Sequence, residues 1–171
     1  MTRFTTDDGL QLAYDDTGAG HPLLCLAGLT RNMDDFDPVV ARFSDRARII
    51  RLDSRGRGRS DHAADWRTYC LAREAADALA LLDHLGVARA SILGTSRGGL
   101  IAMGLAAGHA ERLAGAILND IGPEIAPQGL EVIRDYIGRP PRWRTLDEAA
   151  AALPAAMAPA FADVPEATWR A

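Results

Sequence analysis

Ala90-Ser91-Ile92-Leu93-Gly94-Thr95-Ser96-Arg97-Gly98-Gly99-Leu100 is the stretch from which the fold is read. Ala90–Leu93 is a short apolar run with the character of a buried strand. From Gly98 onward, small and apolar residues continue to Ala106 and read as a tightly packed helix. Between them Gly94-Thr95-Ser96-Arg97-Gly98 is G-x-S-x-G, the pattern of a nucleophile elbow when it follows a strand and opens a helix. A serine on so sharp a turn takes up a strained backbone conformation. Glycines two before and two after let neighbouring chain pass close without a Cβ in the way. The helix N-terminus behind the serine favours a developing negative charge. The alternative is a glycine-rich strand-to-helix turn that only packs, with Ser96 as a helix cap.

Outward from this stretch, apolar strands alternate with helices. Toward the N-terminus, Ala47–Asp53 and Leu23–Ala27 read as strands, the second so continuously apolar that it is expected to be buried on both faces. Asp37-Pro38 opens a helix between them. A long amphipathic helix from about Thr68 to Leu85 carries Leu71, Ala75, Ala78, Leu82 and Leu85 at helical spacing, and Gly86 stops it. At the front, Asp7-Asp8-Gly9 is a turn between Arg3–Thr6 and Leu10–Asp15, a hairpin. Toward the C-terminus, Leu113–Asn119 is a further strand, ending at Asp120. The expected class is α/β: a mostly parallel sheet with flanking helices and a hairpin at its edge. Beyond Gly122 the texture becomes helical, with stretches at Gly129–Ile137 and Leu146–Leu153 and a third opening at Pro165-Glu166. Thr145 and Glu148 form a capping box. The domain division read from the sequence is 1–122 and 123–171.

Composition narrows the function classes. The 171 residues are 48% hydrophobic with net charge −4, and all 19 basic residues are arginine. A mildly acidic chain offers no general support for nucleic-acid or membrane binding. The N-terminus has no apolar signal core. The richest apolar run, Ala149 to Ala162, is expected to be broken by Pro154 and Pro159. Cys25 and Cys70 share no short spacing and read as reduced thiols, which suits a cytoplasmic protein. No His/Cys/Asp spacing indicates a metal site, and no G-x-G-x-x-G follows a first strand. Arg51, Arg55, Arg57 and Arg59 could suggest phosphate binding, but their alternation with Gly56 and Gly58 beside Asp53 and Asp61 fits a tight loop better.

On three features together the chain resembles the α/β-hydrolase superfamily. Ser96 lies in an elbow after a strand. Ala27-Gly28-Leu29 stands where these enzymes carry a His-Gly-x loop. Asp53-Ser54-Arg55-Gly56-Arg57-Gly58-Arg59-Ser60-Asp61 is similar to the family's Asp-x-Arg-Gly-x-Gly-x-Ser stretch. The resemblance covers about residues 8 to 122 and implies an α/β-hydrolase core lacking its last strands. Residues 123–171 resemble the start of an inserted helical cap.

The resemblance implies a cofactor-independent serine hydrolase acting on a small-molecule ester, lactone or related acyl bond. Relatives also cleave carbon–carbon bonds or act as perhydrolases. Ser96 would be the nucleophile, and the backbone N–H groups of Leu29 and Arg97 the oxyanion hole. Ala27 replaces the usual histidine of the first loop. The order in this fold is serine, acid, histidine, and His21, His62, His84 and His109 all lack the late-chain context of the base. The chain therefore reads as an amino-terminal portion of a hydrolase, its triad histidine lying elsewhere. Asp120 is the candidate acid, because some superfamily members place the acid at this strand end; the alternative is an aspartate capping the Gly122-Pro123 turn. Arg97 would face an anionic substrate or solvent. A truncated, non-catalytic hydrolase-like binding protein is the competing reading.

Overall fold

In a computed structural model, the structure describes residues 2–125, 127–140, 142–157, 164, 165, 168 and 169. The chain forms two compact units, Met1–Ile125 and Ala126–Ala171. The first holds a six-stranded sheet: β1 (Thr2–Thr5), β2 (Gln11–Thr17), β3 (His21–Leu26), β4 (Ala47–Leu52), β5 (Ala90–Thr95) and β6 (Leu113–Asn119). Their order across the sheet is β1-β2-β4-β3-β5-β6. The expected hairpin is the antiparallel β1–β2 pair, and β2 also runs antiparallel to β4. The four remaining strands are mutually parallel. All four therefore end along one edge of the sheet, where ligands bind in open α/β folds.

Three helices flank this sheet: α1 (Asp37–Phe43), α2 (Leu71–His84) and α3 (Arg97–Gly108). Strand alternation divides β3 between two cores, as its unbroken apolar run requires. Leu24 and Leu26 join Ile92, Leu81, Leu82, Ile101 and Leu105 in the larger core, with α2 and α3. Cys25 joins Phe36, Ile49, Val39 and Val40 in the smaller one, beside α1.

Two elements differ from expectation for identifiable reasons. α2 starts at Leu71 rather than near Thr68, because Trp66–Thr68 forms a separate 3₁₀ turn capped by the Asp65 carboxylate. Its buried face is also rotated. Leu71 is 37% exposed, while Glu74 and Asp77 are buried at 6% and 1%. Apolar periodicity does not register carboxylates that are buried because each has an arginine partner.

In the second unit, α4 covers Pro127–Tyr136 and α5 covers Leu146–Met157. The Glu148 N–H donates to the Thr145 hydroxyl at 3.1 Å, as a capping box requires, but the Glu148 carboxylate takes the Arg144 N–H rather than that of Thr145. Pro154 does not break the apolar run as expected; it lies inside α5. The break expected at Pro159 and most of the expected helix from Pro165-Glu166 lie outside the described residues.

Candidate active site

Ser96 stands between β5 and α3 with φ +49° and ψ −111°, a left-handed conformation that a non-glycine residue adopts only when its surroundings impose it. Those surroundings are visible. The Ser96 N–H donates to the carbonyl of Asn119, at the end of β6, at 2.9 Å. The Ser96 carbonyl accepts from the N–H groups of Gly99 and Leu100 and starts α3. A Cβ on Gly98 would run into the Leu26 carbonyl, and one on Gly94 into the Gly98 carbonyl. Strand β3, strand β5 and helix α3 can meet this closely only where those two residues have no side chain. Ser96 occupies the cap position of α3, but its hydroxyl makes no capping hydrogen bond. The reading of Ser96 as a simple helix cap is therefore set aside.

The loop after β3 reaches the same point. A Cβ on Gly28 would lie 3.9 Å from the Cβ of Ser96 and 4.0 Å from the Thr95 carbonyl. Leu29 follows directly, in a turn closed by the Arg31 N–H donating to the Gly28 carbonyl at 3.1 Å. Arg97, first residue of α3, has a backbone N–H that no intrahelical acceptor can satisfy. Neither this N–H nor that of Leu29 donates to an acceptor among the described residues.

The polar loop after β4 braces this region. Buried Asp53 accepts from the Met33 N–H at 2.7 Å and the Arg59 N–H at 2.8 Å, tying the loop after β3 to the loop after β4. The Ser60 hydroxyl donates to the Asp53 carbonyl and accepts from the Ala13 N–H. Of the four arginines, Arg51 pairs with Asp15 and Asp37, Arg55 with Asp8 and Asp77, and Arg59 with Asp34. Arg57 donates instead to the Leu29 carbonyl at 2.7 Å. The tight-loop reading of this cluster accounts for their contacts.

Arg97 departs from both alternatives read from the sequence. Its guanidinium faces neither an anionic ligand nor open solvent; it forks onto Glu74 of α2 at 2.7 and 3.0 Å and donates to the Tyr69 carbonyl at 3.2 Å. Glu74, Tyr69 and Arg57 are absent from the sequence-derived site. Glu74 alone leaves a trace, a carboxylate four residues before the buried Ala78 on the same helix.

Asp120 follows β6, whose last residue pairs with Thr95 beside the elbow. It has φ +53° and is exposed, and its carboxylate takes part in no hydrogen bond among the described residues, including one that would cap the Gly122-Pro123 turn. No histidine is hydrogen-bonded to Ser96 among the described residues. His21 contacts the Ser91 hydroxyl at 2.8 Å, His84 contacts Tyr14 and stacks on Phe4, His109 lies near Glu111, and His62 is exposed. Among the described residues no three His, Cys, Asp or Glu side chains form a metal-holding group. No helix among them is long and apolar enough to cross a membrane.

Comparison with known proteins agrees with this geometry. The family model described as "alpha/beta hydrolase fold" matches residues 21–170. A 3-hydroxybutyrate-oligomer hydrolase of Cupriavidus necator is 37% identical over 163 residues, covering 94% of this chain and 55% of the relative. A non-heme haloperoxidase of Rhodococcus erythropolis is 35% identical over 143 residues, covering 77% of this chain and 50% of the relative. The chain thus spans about half the length of these curated relatives. The crystal structure of an alpha/beta hydrolase from Novosphingobium aromaticivorans superimposes with TM-score 0.91 at 40% identity, over 99% of this chain and 60% of that one. The six-stranded mixed sheet, the strained Ser96 turn and these matches together make the chain a member of the α/β-hydrolase fold family.

Proposed function

We propose that Ser96 is the nucleophile of a serine hydrolase that opens a carboxylic ester, lactone or related acyl bond. The observation that carries this reading is the strained Ser96 turn, φ +49°, beside a loop so near that a Cβ on Gly28 would lie 3.9 Å from the Ser96 Cβ. It brings a hydroxyl and two unengaged N–H groups, those of Leu29 and Arg97, into one neighbourhood. The hydroxyl oxygen attacks the acyl carbon, and the carbonyl π electrons move onto oxygen. The two N–H groups receive that oxyanion at the N-terminus of α3, where the helix dipole has the same sign of effect. A base must take the hydroxyl proton, because a neutral serine is a poor nucleophile. None of the four histidines is bonded to Ser96, so the base in this reading is a histidine outside these 171 residues. Asp120 is a candidate for the acid that orients it. Residues 123–171 are read as the beginning of a helical cap, and the substrate as a small acyl compound. The relatives, a 3-hydroxybutyrate-oligomer hydrolase among them, support an acyl substrate.

The test is substitution in the complete gene product. Ser96→Ala is expected to abolish hydrolysis of p-nitrophenyl acetate while leaving the circular dichroism spectrum and melting temperature in place. A fluorophosphonate is expected to label Ser96 and no other serine. Labelling elsewhere, or full activity in the alanine variant, would sink the assignment.

A further inference from the structure

The two residues whose N–H groups are assigned above to the oxyanion, Leu29 and Arg97, make contacts that converge on one residue, Tyr69. The Arg57 Nε donates to the Leu29 carbonyl at 2.7 Å, and its Nη1 donates to the Gly56 carbonyl at 3.0 Å. The Arg57 guanidinium carbon lies 5.8 Å from the centroid of the Tyr69 ring, within cation–π range. That ring packs on Gly56, where a Cβ would come within 2.6 Å of it, and the Tyr69 hydroxyl accepts from the Ala63 N–H at 2.8 Å. On the other side, the Tyr69 carbonyl accepts from Arg97, whose guanidinium is fixed on buried Glu74. The chain of contacts therefore runs Leu29, Arg57, Tyr69, Arg97, Glu74.

Two features set Arg57 apart. Leu29 lies in a loop, outside any strand ladder or helix, so the Arg57 hydrogen bond and the Gly28–Arg31 turn are what fix its backbone. Arg57 also has no carboxylate partner among the described residues, whereas Arg51, Arg55 and Arg59 each have one. Its donors go instead to the backbone carbonyls of Leu29 and Gly56, so its place in the loop is set by the peptides it holds.

We propose that Arg57 is a positioning residue of the oxyanion hole: it fixes Leu29 through its carbonyl and, through the Tyr69 ring, shares a frame with Arg97 and Glu74. This rests on the assignment of Leu29 and Arg97 as the oxyanion donors. Arg57 touches no reacting atom. It anchors the peptide that follows the Leu29 N–H, while the Arg31 N–H holds the Gly28 carbonyl of the N–H's own peptide, and a misplacement of about 1 Å in such a donor costs on the order of 10² in rate.

The experiment uses the complete gene product, with active sites counted by fluorophosphonate titration. p-Nitrophenyl acetate serves as a neutral substrate and mono-p-nitrophenyl succinate as one bearing a carboxylate. Arg57→Met is expected to lower kcat per titrated site about 10²-fold on both esters, with KM changed less than about threefold, as for an interaction made only in the transition state. A boronic acid, which mimics the tetrahedral adduct, should lose affinity by about the same factor. Arg57→Lys keeps a donor and a charge and should recover most of the loss. The proposal is overturned if kcat per titrated site is unchanged in Arg57→Met. It is overturned equally if the loss is confined to KM of the succinate ester, which would make Arg57 a substrate contact, or if the loss lies wholly in the number of titratable sites. Persistent activity in Ser96→Ala, or no serine-dependent activity in the wild type, would instead remove the underlying assignment whatever Arg57 does.

Discussion

A left-handed backbone at a residue with a Cβ costs about 1–3 kcal/mol, and it persists only where packing leaves no alternative. Ser96 and Asp120 are the two non-glycine residues with positive φ among the described residues, and they follow the paired ends of β5 and β6. Ser96 was legible in the sequence because its constraint is written in glycine spacing: at Gly94 and Gly98, two before and two after it, a side chain would run into backbone. The direction of the Arg97 side chain was not legible, because it is set by Glu74 on α2, twenty-three residues earlier in the chain. For Asp120 the outcome expected in the complete gene product is modest. Its carboxylate is exposed and takes part in no hydrogen bond among the described residues. Asp120→Asn should therefore change turnover less than about tenfold, whereas loss of the triad acid in a serine protease costs about 10⁴. Steady-state kinetics on an activated ester separates the two. The cysteines give a further residue-scale check. Burial pushes the Cys25 thiol up to about 12, against a smaller opposing effect of Arg51, while Cys70 is exposed. At pH about 8, a disulfide reagent should modify Cys70 in the native protein and reach Cys25 only on unfolding, since the thiolate is the reactive form. Mass spectrometry of the labelled peptides reads this directly.

Among the elements, α2 shows what periodicity carries and what it omits. Ala78 and Leu82 were expected on its buried face and lie there, fully covered. Leu71 was expected with them and is partly exposed, because the first turn of the helix is buried through Glu74 instead. The strands of the parallel sheet were read more completely. A strand buried on both faces has an unbroken apolar run, and nothing else in this chain needs one. Much of the charged face of α2 is invisible to such reasoning because its buried partners come from other elements, Arg55 from the loop after β4 and Arg97 from α3, besides the Arg73–Asp77 pair within the helix. Burial works against the Arg55 charge, but hydrogen bonds to Asp77 and Asp8 more than offset it and hold the group firmly protonated. Arg55 is fully buried and Asp77 nearly so, so removing one partner strands a charge. Asp77→Ala is expected to cost about 3–5 kcal/mol of stability, while Asp77→Asn, which keeps an acceptor, should cost less. Urea unfolding of the complete gene product measures both. A loss under about 1 kcal/mol for Asp77→Ala would mean that Asp8 alone satisfies Arg55.

For the whole molecule, the sheet ends on β6 with apolar side chains in the open. Ile117 is 53% exposed and Leu118 39%. With Phe36, Val39 and Leu93 they line a groove beside α1. Among the described residues β6 is paired with β5 on one side only, so its other side is an open edge. An apolar strand with a free edge is a template for pairing with another chain. In the nucleophile role proposed above, Ser96 has no histidine hydrogen-bonded to it among the described residues, and in a serine protease loss of the base costs on the order of 10⁶ in turnover. Both features predict how residues 1–171 behave when expressed by themselves. They should run on size-exclusion chromatography as oligomers or aggregates rather than a monomer. They should also hydrolyse p-nitrophenyl acetate no faster than their own Ser96→Ala variant. A lysine placed at Ile117, pointing charge at the groove, should shift the elution toward the monomer without restoring activity, because it blunts association and supplies no base. A monodisperse wild-type monomer whose turnover vanishes in Ser96→Ala would show that His21, His62, His84 or His109 reaches the hydroxyl in solution, and that the base need not come from outside these residues.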